Sequence, residues 1–387
     1  MIGKYLGQAR TPFLIFAVAF AIYLVSNITP LDWYKHYVYQ SQAFLEGRAD
    51  LQGVPEYYQD LVYYKDKVYL ASPPAPALVL LPFVAIWGEG ADEVRVSMFL
   101  GAVNVALVWL LLRRLGVSRS IQWLLTILFG FGTVHWEVAI HGTTWFFAEI
   151  VAVFFLLLAL LEHFGRRRSF LTGLFLGLAA LSRLPILPGS IFFIVALSLG
   201  GGFPRQPIKL LAGLALPLVF LAFFNFVRFG HPLETGYLSH SYASYFNDVI
   251  ARHGFFSVFH IPSHLYTLLF RPPEYIDYFP FFRPSPAGMS ILLTTPAVFY
   301  LLRTKFSEIL NLLSAVSIVV ILIPTILWFS TGWVQFGYRY SLDFVPFLLI
   351  LISSGMGPRI NKLKITLVVL SVAVNLWGVC WSVVQGW

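Results

Sequence analysis

Asp32 stands directly after the first apolar run of the chain, at the head of "DWYKHYVYQSQAFLEGRADL", a stretch that is neither a membrane span nor a plain loop. Glu137 lies between His135 and His141 in "HWEVAIH". A carboxylate at either position can take a proton from an attacking hydroxyl or amine. Arg339 sits in "QFGYRYSLDF" at the mouth of a late apolar run, where a guanidinium is costly without an anionic partner. Arg271 in "RPPEY", Arg283 between prolines and Lys67 ahead of "VYLASPP" are further cations able to hold an anion. Each has a plainer reading. Asp32 would cap a helix over 33–46, Glu137 would be an ordinary interfacial acid, and Arg339 would pair with Asp343 four residues on. Arg183 and Arg228 read as structural partners of Glu149 or Glu234. His36, His240, His253, His260 and His264 invite a metal, and His260 and His264 share a helical face. However, no HExxH motif is present, and Pro262 interrupts the pair.

The elements that must position these groups are membrane helices. Of the 387 residues 58% are hydrophobic and 11% charged, with mean hydropathy +0.76, against about 25% charged in soluble domains. Uncharged runs of about 20 residues recur throughout, the length needed to cross a bilayer. The expected fold class is therefore an all-α polytopic membrane protein, one integral domain over 1–387. Spans are expected near 11–29, 93–112, 119–135, 143–163, 169–183, 184–201, 208–228, 287–302, 307–329, 340–356 and 365–384, about 11 in all. Residues 11–29 read as a retained first helix rather than a cleaved signal. The lone cysteine, Cys380, excludes internal disulfides and CxxC sites.

Basic residues orient the bundle. With the N-terminus inside, the inner ends carry 15 of the 26 lysines and arginines, among them Arg113, Arg114 and the run Arg166–Arg168, beside only Glu162 and Glu308. The net charge of +8 thus follows membrane topology and gives no cause to expect nucleic acid. The C-terminus falls outside. Two large outer loops result, 30–92 and 229–286. "APALVLLPFVAIWG" (75–88) is too short to span and reads as interfacial, as does "FFSVFHIPSHLYTLLF" (255–270). Tyr34, Tyr37, Val38, Ser41, Phe44 and Leu45 form the apolar face of an amphipathic surface helix.

"LDWYKHYVYQSQAFLEGRADL", "KVYLASPPAPALVLLPFVAIWG" and "RRLG" resemble the opening of the GT-C glycosyltransferases, integral membrane enzymes that use polyprenyl-phosphate sugars. Within that group the protein O-mannosyltransferases and the lipid A aminoarabinose transferase are similar. "LAALSRLPILP", "NFVRFGHPLETGY", "FPFFRPSPAGMSILLTTP" and "GWVQFGYRYSLDFVPF" extend the resemblance over nearly the whole chain, and the last three look like signatures of bacterial members. The resemblance implies a general base just after the first span, a place that Asp32 fills, and Glu137 is the candidate second acid. It implies cations for the departing lipid phosphate, for which Arg339, Arg283, Arg271 and Lys67 are the candidates. The partners it implies are a polyprenyl-phosphate-linked sugar donor, a glycan, lipid or protein acceptor, and membrane lipids. No cofactor is required by it, although some relatives use a divalent cation. The active site would face the outer side of the cytoplasmic membrane. The sequence departs from the pattern in two places: Trp33 replaces the second acid after Asp32, and Ser72 replaces the lysine before Pro73-Pro74. These departures keep a non-catalytic membrane subunit as an alternative, beside a flippase of lipid-linked sugar.

Overall fold

The structure, a computed structural model, describes residues 2–28, 34–239 and 246–384. Helix α1 (Ile2–Ser26) leads to α2 (His36–Leu45), a hairpin of β1 (Leu61–Tyr64) and β2 (Lys67–Leu70), and α3 (Ala75–Trp87). Five helices follow: α4 (Glu93–Arg114), α5 (Arg119–Phe131), α6 (His135–His141), α7 (Thr144–His163) and α8 (Ser169–Ala180). Next come α9 (Ser190–Leu197), α10 (Arg205–Phe229), α11 (Asn247–His253), α12 (Ile261–Leu269) and the short pair β3 (Glu274–Tyr275) and β4 (Phe282–Arg283). The chain closes with α13 (Ile291–Thr294), α14 (Ile309–Ile326), α15 (Val345–Met356) and α16 (Lys362–Val384), with 3-10 helices at Pro296–Arg303 and Arg339–Asp343.

This is an all-α membrane protein with two minimal antiparallel strand pairs. Among the described residues, six helices are long and apolar enough to cross a bilayer, or seven if α5 and α6, bent by 45°, form one broken span. Four shorter apolar helices of 10–17 residues accompany them. The clearest departure is 287–302, expected as one span. There Pro296 disfavours helical backbone at Thr295 (φ −138°, ψ 67°), splitting the segment into α13 and a 3-10 helix.

Burial orders the bundle. The apolar windows of α4 and α7 are 72% buried, whereas those of α10, α14 and α16 are 33% buried. Thus α4 and α7 form the spine, and the outer helices turn most of their surface to lipid. Small residues bring α8 and α10 together: a Cβ at Gly173 would meet Leu210 O at 1.9 Å, and one at Gly213 would meet Phe170 O at 2.0 Å. Such backbone contact is how membrane helices pack when no hydrophobic force separates lipid from protein.

The first loop folds back on this spine. Helix α2 starts at His36, with Lys35 at its cap position making no side-chain cap. The expected helix over 33–46 capped by Asp32 is therefore corrected. Its buried face is His36, Tyr37, Gln40 and Ser41, packed on α3, while Leu45 is exposed. Residues 61–70 form a hairpin that the helical reading missed. Lys65 (φ 47°) and Asp66 (φ 61°) make a two-residue turn of the twist that hairpins favour.

Candidate active site

Two residues of positive φ join α6 to α7, and the site is built around that junction. Gly142 ends α6 in the left-handed region (φ 56°), and Thr144 begins α7 with φ 34°, a strained value for a β-branched residue. Two side chains hold Thr144 there. Its N–H donates to Glu93 Oε1 at 2.7 Å, and its hydroxyl lies 2.8 Å from His36 Nδ1. His36 Nε2 is 2.8 Å from Gln59 O. A carbonyl only accepts, so Nε2 carries the proton and Nδ1 accepts from Thr144. The first loop is thereby tied to the spine.

One turn further along α7, Glu149 is fully buried. Its Oε1 accepts from Arg339 Nη1 at 3.2 Å and lies 3.9 Å from Arg183 Nη1. Arg183 in turn forks onto Asp343, with Nε–Oδ1 3.0 Å and Nη2–Oδ2 2.8 Å. Arg339 Nε also donates to Gln335 Oε1 at 3.0 Å. Both guanidiniums lie over the Tyr340 ring, at 4.9 and 5.2 Å. Glu137 stands within electrostatic reach of Arg339 and Glu149. Its carboxylate oxygens are buried and lack a well-formed hydrogen bond among the described residues, the Phe336 backbone N–H being the donor that faces them. His141 Nδ1 approaches Oε1 to 3.3 Å but lies 3.0 Å from the Glu137 carbonyl. Three carboxylates thus meet two guanidiniums in the interior of a membrane protein. Ionisable groups at such depth are costly and mark function more often than structure.

Distant segments converge to build this array. Residues 285–289 run alongside 335–338, through Gln335 N–H to Pro286 O and Tyr338 N–H to Met289 O, both 3.2 Å. That pairing fixes the 3-10 turn carrying Arg339 and Asp343. Ala75 N–H donates to Leu181 O at 3.1 Å, bringing the Pro73-Pro74 stretch beside Arg183. Ser72 is within hydrogen-bonding reach of Tyr37 and Tyr237, and the Arg183 charge acts on both tyrosines.

Of the residues singled out in the sequence, Asp32 lies outside the described residues. Its neighbours are anchored: Asn27 Nδ2 donates to Ile140 O at 2.6 Å, and His36 binds Thr144 as above. Glu137 and Arg339 are brought together, and Glu137 is buried inside the protein. Arg339 pairs with Glu149 instead of Asp343, which belongs to Arg183. The other cations stand apart. Lys67 Nζ bonds Asp50 at 3.0 Å, which raises the lysine above its ordinary value. Burial pushes the Asp50 carboxyl up, but Lys67 and Arg48 outweigh it and hold the group below its usual range. Arg283 is exposed and pairs with Glu274 across β3 and β4 at 2.8 Å. Arg271 lies 5.4 Å from the Tyr266 ring, with its Nε buried and unbonded. Arg228 bonds Leu70 O and Asn225 Oδ1, not Glu234.

The histidines do not converge. His240 lies outside the described residues, and no three His, Cys, Asp or Glu among the described ones could hold a metal. Pro262 sits in the first turn of α12, where it is tolerated, rather than between helical positions. His264 Nε2 donates to Trp328 O at 2.8 Å, and Nδ1 faces the Tyr338 hydroxyl at 2.7 Å. Burial brings this imidazole down to about 4.

Glu149, Arg183 and Asp343 are the residues that sequence reasoning did not place in a site. The available signal was Glu149 itself, an acid five residues into "TWFFAEIVAVFFLLL". No protein-family model, curated protein or solved structure matches the chain.

Proposed function

We propose that the protein is an inverting glycosyltransferase of the GT-C type. In this reading it moves a sugar from a polyprenyl-phosphate donor to a glycan, lipid or protein acceptor at the outer face of the cytoplasmic membrane. The observation that carries it is the array of Glu137, Glu149, Asp343, Arg183 and Arg339, whose Glu137 and Glu149 stand on α6 and α7, the two helices that hold Asn27 through Ile140 and His36 through Thr144. Asp32 takes the acceptor's proton as its oxygen or nitrogen attacks the anomeric carbon. The bond from that carbon to the phosphate oxygen breaks, and its electron pair leaves with the lipid phosphate. An anionic leaving group needs positive charge rather than a strong acid. Arg183 Nη1, 3.9 Å from Glu149 Oε1 and part of a side chain 19% exposed, can offer it. A lone base with direct displacement inverts the anomeric centre.

One observation favours a second reading. Each guanidinium already holds a carboxylate, as in a structural core, which suits a non-catalytic subunit that binds without turnover. The test is to incubate the purified protein, wild type and Asp32→Asn, with a panel of labelled polyprenyl-phosphate sugars. Turnover lost on substitution supports the enzyme. Donor binding without turnover in either form supports the subunit, and turnover indifferent to the substitution removes Asp32 as base.

A further inference from the structure

The end of the bundle opposite the array gathers positive charge with too few acids to balance it. Helix α4 ends on Arg113 and Arg114, and α7 is followed by Arg166, Arg167 and Arg168, all exposed. The two ends touch. A Cβ at Gly165 would lie 1.7 Å from Arg114 Nη1 and 2.5 Å from its Cζ, so this guanidinium lies directly on the α7–α8 turn. Glu162 is the acid at hand, and Arg168 occupies it with Nε at 2.9 Å, Nη2 at 2.7 Å and its backbone N–H at 3.1 Å. Among the described residues, no ion pair forms to Arg113, Arg114, Arg166 or Arg167.

The backbone adds an independent sign. Arg167 has φ 56°, the left-handed conformation that glycine usually supplies after a helix, while its N–H closes onto Glu162 O at 2.8 Å. An arginine at this position carries strain that a glycine would avoid, and what it adds is one more cation beside Arg114. Exposed like charges on one turn repel, and an anion held among them relieves that repulsion. The surroundings specify the anion. Phe170, two residues beyond Arg168, is 43% exposed, and Trp123 on the neighbouring α5 is 39% exposed. Charge thus borders directly on apolar surface that continues along membrane helices.

We propose that the α7–α8 turn, together with the end of α4, binds the phosphate headgroup of an anionic phospholipid. The guanidiniums of Arg114, Arg166 and Arg167 hold the phosphate, and the acyl chains lie against the apolar face beginning at Phe170. Binding is independent of the transfer reaction proposed above.

The experiment titrates the purified full chain in neutral detergent with short-chain phosphatidylglycerol, phosphatidylcholine or inorganic phosphate, and reads occupancy by native mass spectrometry. Phosphatidylglycerol is expected to bind in preference to both others. Arg114→Gln with Arg166→Gln should weaken it about thirtyfold, at about fivefold per basic residue near a membrane surface. Arg303→Gln with Lys305→Gln, on the same basic end, should leave it within a factor of three. Arg167→Gly should weaken headgroup binding while raising the melting temperature, because the strain goes with the charge. Equal losses in the two double variants, equal binding of phosphatidylcholine, or binding of inorganic phosphate as tight as that of the lipid would overturn the proposal. A lower melting temperature for Arg167→Gly would remove the strain argument.

Discussion

Glu149 and Glu137 are the same residue type, lie in the same array and are equally buried, yet replacing them should have very different consequences. Glu149→Gln takes the paired carboxylate from Arg339, whose Nη1 it holds at 3.2 Å, and leaves that guanidinium with the neutral Gln335 and the more distant Glu137. Removing one partner of a buried ion pair costs about 3–5 kcal/mol. Glu137→Gln keeps an oxygen to face the Phe336 N–H and leaves both arginine pairs intact, so its cost should stay below about 1 kcal/mol. With an unfolding entropy of about 2.1 cal/mol/K per residue, 4 kcal/mol in a chain of this length lowers the melting temperature by about 5 °C. Scanning fluorimetry in one detergent resolves that difference. The double variant Glu149→Gln with Arg339→Gln should recover part of the loss, because neutralising both partners leaves no unpaired buried charge. Equal losses for Glu137→Gln and Glu149→Gln, or a larger loss for Glu137→Gln, would refute the pairing scheme.

Three further outcomes are expected. Thr144→Ala should cost about 1–3 kcal/mol, because the bond between its hydroxyl and the buried His36 Nδ1 is lost, whereas Thr144→Ser should retain stability; thermal melts of the two separate these cases. His264 holds about 4 in the folded chain against 6.5 when unfolded, so between these values the unfolded state binds more protons. Its contribution, at most roughly 3 kcal/mol, is therefore complete above pH 6.5 and lost as pH falls toward 4, and His264→Gln should flatten melting temperature over that window. Single cysteines introduced at Glu56 and Glu274 should react with an impermeant thiol reagent on intact cells, while one at Arg166 should react only after permeabilisation. The reverse pattern would invert the topology.

Much of the fold was legible because membrane helices are written in local composition. Long uncharged runs became α4, α7, α10, α14 and α16 nearly as bounded. Where proline broke an apolar run, as at Pro296, hydropathy still read one span while the backbone made two short pieces. The site was legible only in part. Arg339 and Glu137 drew notice individually, but the partner of Arg339 lies 190 residues away, a pairing that no local pattern encodes. The local partner, Asp343, failed for a geometric reason. Four residues on an α-helix return to about the same face, but on a 3-10 helix with three residues per turn they end about 120° apart. That rotation points Asp343 at Arg183. The β1–β2 hairpin was written plainly in "LVYYKDKVYL", aromatic and β-branched residues around a two-residue turn, and was obscured only by the helical character of the rest.

The most direct test of the proposed chemistry is the anomeric configuration of the product. With a donor of defined configuration, proton NMR of the transferred sugar should show the opposite configuration at its anomeric carbon, as one carboxylate and one displacement require. Retention of configuration would demand a covalent glycosyl intermediate and contradict the account.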